Sequence, residues 1–180
     1  MAWTNPRTWT DGELITKAIM DPHIRDNFLA VGEHLIARKT ADQTVTSSTV
    51  LVDCTSMVLP VLANEVWQAT FNVLYTAGTT EDMKVAFTFP TAGRVDASIM
   101  WMSATPAANV LDMFGTTSPT TSTTLFGNGV GSGRYLAPIR VIYVGGANAG
   151  NVTLQFAQNT SGGTATTVFT NSTVWAVKLA

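Results

Sequence analysis

The chain has 180 residues, 46% of them hydrophobic and only 12% charged, with a formal net charge of −2. That charged share is about half the ~25% of ordinary soluble proteins, so Thr, Ser, Asn and Gly must cover the exterior, or copies of the chain must bury part of it. There is no basic run with interleaved aromatics to bind a nucleic acid. No stretch reaches the ~18 apolar residues of a membrane span, and the N-terminus lacks the apolar core of a signal peptide, so the chain is expected to start out cytosolic.

The charge is uneven. Residues 1–53 hold seven of the twelve acids and five of the ten bases, so the two parts of the chain are expected to face different surroundings. The predicted organisation is an attachment and helical segment over 1–38 and a β-sandwich domain over 39–180.

The first ten residues carry Trp3, Pro6 and Trp9 without helical or alternating periodicity, and read as an extended arm. Tryptophans are common anchors of interfaces, so the three mark an attachment site; folding back onto the chain's own helix is the alternative. Thr10 or Asp11 is placed to cap a helix starting near Gly12. Pro22 has no N–H to donate, which predicts two helices, Glu13–Met20 and Pro22–Arg38. In the second, Ile24, Phe28, Val31 and Leu35 are spaced 4, 3 and 4, the pattern of a coiled-coil seam. Two heptads serve equally well for self-association or for packing on a domain core.

From Lys39 the periodicity falls to two. Strands are predicted at Thr44–Val52, Thr55–Val61, Val66–Tyr75, Met83–Phe89, Val95–Ser103, Leu136–Gly145, Asn151–Gln158 and Thr173–Leu179, punctuated by Gly- and Pro-containing turns. About eight alternating strands without intervening helices make the fold class mainly β, an antiparallel jelly-roll-like sandwich. Thr105–Gly133 is rich in Thr, Ser and Gly, with Leu111, Met113, Phe114, Leu125 and Phe126 as apolar anchors, and reads as a long loop with a short strand.

Material for catalysis is sparse. From Asp53 onward there is no histidine and only six scattered acids, Asp53, Glu65, Glu81, Asp82, Asp96 and Asp112, so neither a catalytic set nor a cofactor site is assigned. Glu81-Asp82 beside Gly78-Thr79-Thr80 reads as hairpin capping. His23 and His34 lie eleven residues apart, without the i, i+4 pairing of a helical metal site. Gly127–Gly133 lacks the Lys-Ser/Thr ending of a phosphate loop, and Cys54, the one cysteine, reads as a buried hydrophobe.

Two stretches carry a resemblance. Trp3-Thr-Asn-Pro-Arg-Thr-Trp-Thr-Asp-Gly-Glu-Leu-Ile-Thr and Met20-Asp-Pro-His-Ile-Arg-Asp-Asn-Phe-Leu-Ala are similar to the start of many tailed-phage structural proteins. Arg38-Lys-Thr-Ala-Asp-Gln-Thr-Val-Thr-Ser-Ser-Thr-Val-Leu, Ala63-Asn-Glu-Val-Trp and Leu154-Gln-Phe-Ala-Gln-Asn-Thr-Ser resemble a β module of phage fibre and head-surface proteins. The resemblance implies a virion protein: a homotrimer whose jelly roll, similar to tumour-necrosis-factor-like domains, faces outward while the N-terminal segment binds the major capsid protein or another virion protein. It departs from the family's commoner pattern at Asp21-Pro22. Head decoration is the expected role, and a tail-tip or head-fibre protein binding a host-surface glycan is the alternative. A virion-associated cell-wall hydrolase would need paired acids or a metal in a cleft.

Overall fold

A computed structural model describes residues 4–5, 7–27, 32–100, 113–118, 125–127 and 131–179; at 100, 113–118, 125–127, 131 and 132 the description is of the backbone. The chain divides into two compact units, Met1–His34 and Leu35–Ala180, four residues before the boundary expected from sequence.

In the first unit, helix α1 covers only Lys17–Met20 and runs into a π-helical turn over Asp21–Arg25. The expected start near Gly12 fails because Gly12 is left-handed (φ 79°) and a turn closes from Glu13 N–H to Thr10 O at 3.1 Å. Nor does Pro22 split the segment. It sits in the first turn of the π element, where no N–H is required of it. Asn27 binds Thr4 twice, accepting its N–H and donating to its carbonyl, both at 2.8 Å, so the arm is tied back at that residue.

The helix expected to continue to Arg38 does not. His34–Arg38 is strand β1, with alternating burial, because tertiary pairing outweighs the local helical spacing. Strands β2 (Gln43–Val45), β3 (Val52–Val61), β4 (Val66–Ala77), β5 (Met83–Thr88) and β6 (Arg94–Met100) follow. Then come β7 (Met113–Ser118), β8 (Leu125–Gly127), β9 (Gly131–Val144), β10 (Gly150–Gln158), β11 (Thr166–Val168) and β12 (Thr173–Lys178).

The larger sheet has the order β1-β12-β4-β9-β6-β7, with β11 beside the end of β4 and β2 beside β11; the smaller is β3-β10-β5-β8. From β3 onward the chain alternates between the sheets, with β6 and β7 together in the larger and β11 and β12 together at one edge of β4. That winding is a jelly roll, as the alternating pattern predicted.

One core lies between the sheets. Phe71 of β4 meets Phe87 of β5 edge-on at 5.1 Å, joined by Tyr75, Tyr143, Leu59, Leu154 and Phe156, all buried. The expected strand Thr44–Val52 breaks after Val45 because Ser47 takes a left-handed φ of 54°. The gap expected before Thr55 instead lies inside β3, near its start. Ser56 (φ 66°) bulges there, so that Cys54 and Met57, three apart, both point inward. The segment Thr105–Gly133 holds β7, β8 and the start of β9; of its apolar anchors, Leu111 lies outside the described residues.

Candidate functional site

The residues singled out from sequence are dispersed. Trp3, Pro6, Phe28 and Val31 lie outside the described residues. Trp9 is 45% exposed, with the Arg7 guanidinium 5.3 Å from its ring centre, and Arg7 also pairs with Glu13. Ile24, in the π turn, is also 45% exposed. Leu35 is on β1, packed against the core of the second unit. Ile24 and Leu35 therefore share no helix, and the 4-3-4 spacing is not one continuous helical stripe.

Among the described residues no three of His, Cys, Asp and Glu gather as a metal set. His34 Nδ1 lies 3.0 Å from Gly32 O, and His23 Nδ1 is buried with no hydrogen-bond partner. Burial pushes the Cys54 thiol up to about 11, against the opposing pull of the Lys39 charge, which leaves it protonated and poorly nucleophilic.

Glu81 reads from sequence as a hairpin cap, and its carboxylate binds two neighbouring loops. It accepts the Thr164 N–H at 3.2 Å, and this and other backbone bonds hold its pKa below the ordinary range against the cost of desolvation. Gly78 and Gly162 flank it so closely that a Cβ on either would run into the carboxylate. Around it opens a hollow of about 550 Å³ lined by Thr76, Thr79, Thr80, Thr164 and Thr167. It presents hydroxyls and an acid already engaged by the backbone, which suits hydrogen-bonding to a polar ligand better than proton transfer.

The largest feature is the outward face of the larger sheet. Alternation along β4 sends Trp67, Ala69, Phe71, Val73 and Tyr75 inward and Val66, Gln68, Thr70, Asn72 and Leu74 outward. Register then lines up outward rows across the strands. Trp175, Thr70, Arg140 and Ser98 form one row; Val177, Gln68, Ile142 and Asp96 form the next, and Leu74 pairs with Leu136. On this face Trp175 is 47% exposed, Leu136 53%, Ile142 36% and Ile36 of β1 75%. The outward positions of the smaller sheet include Asp53, Lys84, Thr88, Asn151 and Gln155 together with Val58, Pro60, Ala86 and Ala157, with no large aliphatic or aromatic side chain as exposed as Trp175. Sequence reading counted Trp175 as part of a good strand without seeing that it faces out. Its i, i+2 neighbours Thr173 and Val177 were the available signal, but alternation alone does not say which phase is buried.

No protein-family model matches the chain, and no curated protein matches it. Among solved structures it is similar to the tripod from the baseplate of bacteriophage Tuc2009, at 10% identity and a TM-score of 0.35, over 98% of this chain and 76% of that one. It is also similar to the VP2 subviral particle of infectious bursal disease virus, at 12% identity and a TM-score of 0.21, over 82% of this chain and 41% of that one.

Proposed function

We propose that the chain is a structural protein of a tailed-phage virion, a homotrimeric capsid decoration protein that attaches through its N-terminal segment and has no catalytic role. The observation that carries this reading is the pairing of a jelly-roll unit, poor in charge and with an exposed apolar sheet face, with a separate N-terminal unit that exposes Trp9, Leu14, Ile15 and Ile24. A protein that only holds other proteins needs two such surfaces and no tuned titratable cluster. Trp3, Pro6 and Trp9 supply the attachment contacts. Trimeric placement multiplies weak contacts into a firm clamp on the shell.

The alternative reading, a tail-tip or head-fibre protein that binds a host-surface glycan, is favoured by the threonine-lined hollow around Glu81, whose hydroxyls suit a sugar. Quantitative mass spectrometry of purified virions decides between them. Decoration predicts copies in the same order as the major capsid protein, and loss of those copies when residues 1–10 are deleted. A handful of copies, in multiples of three, selects the tail-tip reading, and absence from the particle refutes both.

A further inference from the structure

We infer that the outward face of the larger sheet, centred on Trp175 and Thr70, is where one copy of this chain packs against the next. The inference deepens the homotrimeric part of the reading above by locating its contact.

Three observations carry it. First, the face exposes large apolar side chains: Ile36, Trp175, Leu136 and Ile142 stand on it among uncharged polar residues such as Gln68, Thr70 and Asn72, and the outward positions of β4 and β12 carry no charge. Second, its basic residues are of the interface kind, and Asp96 on the same face pairs with Arg94 at 2.8 Å. All four arginines of the β unit, Arg38, Arg94, Arg134 and Arg140, lie at outward positions of this sheet. The three lysines lie elsewhere: Lys39 is buried, Lys84 is on the smaller sheet and Lys178 is bound to Glu65. Arginine and tryptophan are enriched at protein interfaces and lysine is depleted.

Third, the dimensions suit a subunit contact. Five strands about 4.8 Å apart and about six residues of ~3.3 Å each give a projected area of roughly 400 Å². That is about half of the ~800 Å² per partner of a standard interface, and in a closed ring each copy makes the contact twice, once by its face and once by its flank.

Charge selects a copy of the same chain, and a face-to-flank contact. Two such faces laid together would oppose their arginines. Among the described acids of the β unit, Asp96 lies on this face paired with Arg94, while Asp53 is exposed on the smaller sheet and Asp42 is exposed beside β2, at the flank of the larger one. A basic apolar face seated on a neighbour's acid-bearing flank is a heterologous contact, and heterologous contacts that close make rings.

Native mass spectrometry and sedimentation of the full chain at micromolar concentration test this. Wild type is expected as a trimer, and Trp175→Asp is expected to raise the dissociation constant by about 30-fold or more, the loss of one interface anchor. Leu136→Asp, at an exposed site away from the tryptophan, is the second variant in case the first unfolds; Thr88→Asp, exposed on β5 of the smaller sheet, is expected to leave the trimer intact. A monomeric wild type overturns the inference, as does a trimer that both face variants leave unchanged. Dissociation by Ile24→Asp with no effect of Trp175→Asp also overturns it, and moves the contact to the N-terminal segment. A trimer held by this face in a protein absent from virions leaves the inference standing and refutes the proposed function.

Discussion

Two buried charges show what single residues do here. Lys39 is fully buried, and its ammonium donates to Gln43 Oε1 at 2.9 Å, Thr55 O at 3.2 Å and Thr55 Oγ1 at 2.7 Å. Its backbone closes the break between β11 and β12, donating to Ser172 O and accepting from Asn171 N–H. Glu65, also buried, accepts from Trp67 Nε1 at 2.9 Å, Leu62 N–H at 2.8 Å and Lys178 Nζ at 2.6 Å, and so ties β12 to the β3–β4 turn. Desolvation pushes its pKa up, but these three donors outweigh it and leave the carboxyl below its ordinary 4.5. A depressed pKa means that the stabilisation is present above the unfolded value and is lost as pH falls through the folded one. Glu65→Gln is therefore expected to cost about 1–3 kcal/mol at neutral pH, with the gap to wild type closing in urea titrations below pH 4.5.

At the scale of elements, the sandwich depends on contacts between sheets that no single strand supplies. Phe71 and Phe87 come from different sheets and meet edge-on, a geometry that favours the pair beyond the area it buries. Phe71→Ala is expected to lower unfolding free energy by about 3–5 kcal/mol, measured by chemical denaturation, while a loss below about 1 kcal/mol would mean that the sheets are not packed through this pair. The bulge at Ser56 belongs to the same scale. It moves the inward phase of β3 by one residue so that both Cys54 and Met57 enter the core, and a strict period of two could not show it. β1 has the opposite history: its sequence satisfies a helical spacing, and pairing beside β12 makes it a strand.

Across the whole molecule, the jelly roll pairs strands far apart in sequence, β3 with β10, β4 with β9 and β4 with β12. Loops must close before such contacts stabilise the chain, which places folding on the order of milliseconds to seconds. Stopped-flow refolding followed by the fluorescence of Trp67, 2% exposed in the native state, checks this, and a microsecond phase carrying the full amplitude would contradict it. The scarcity of charge belongs to this scale too. The β unit has few ions, and the larger sheet exposes Trp175, Leu136, Ile142 and Ile36 among uncharged polar residues such as Thr70 and Asn72.

The sequence by itself determined the β class, the approximate positions of β4, β5, β6, β10 and β12, and the buried state of Cys54. These follow from alternation and composition, which are local. Only the tertiary structure decided that His34–Arg38 is a strand, that Ser56 shifts the phase of β3, that Lys39 is buried and that Trp175 and the four arginines share one outward face. Each of these is settled by which distant strand lies alongside. Pairing of that kind stabilises one phase or conformation over another by more than local propensity does, and spacing along the chain does not encode it.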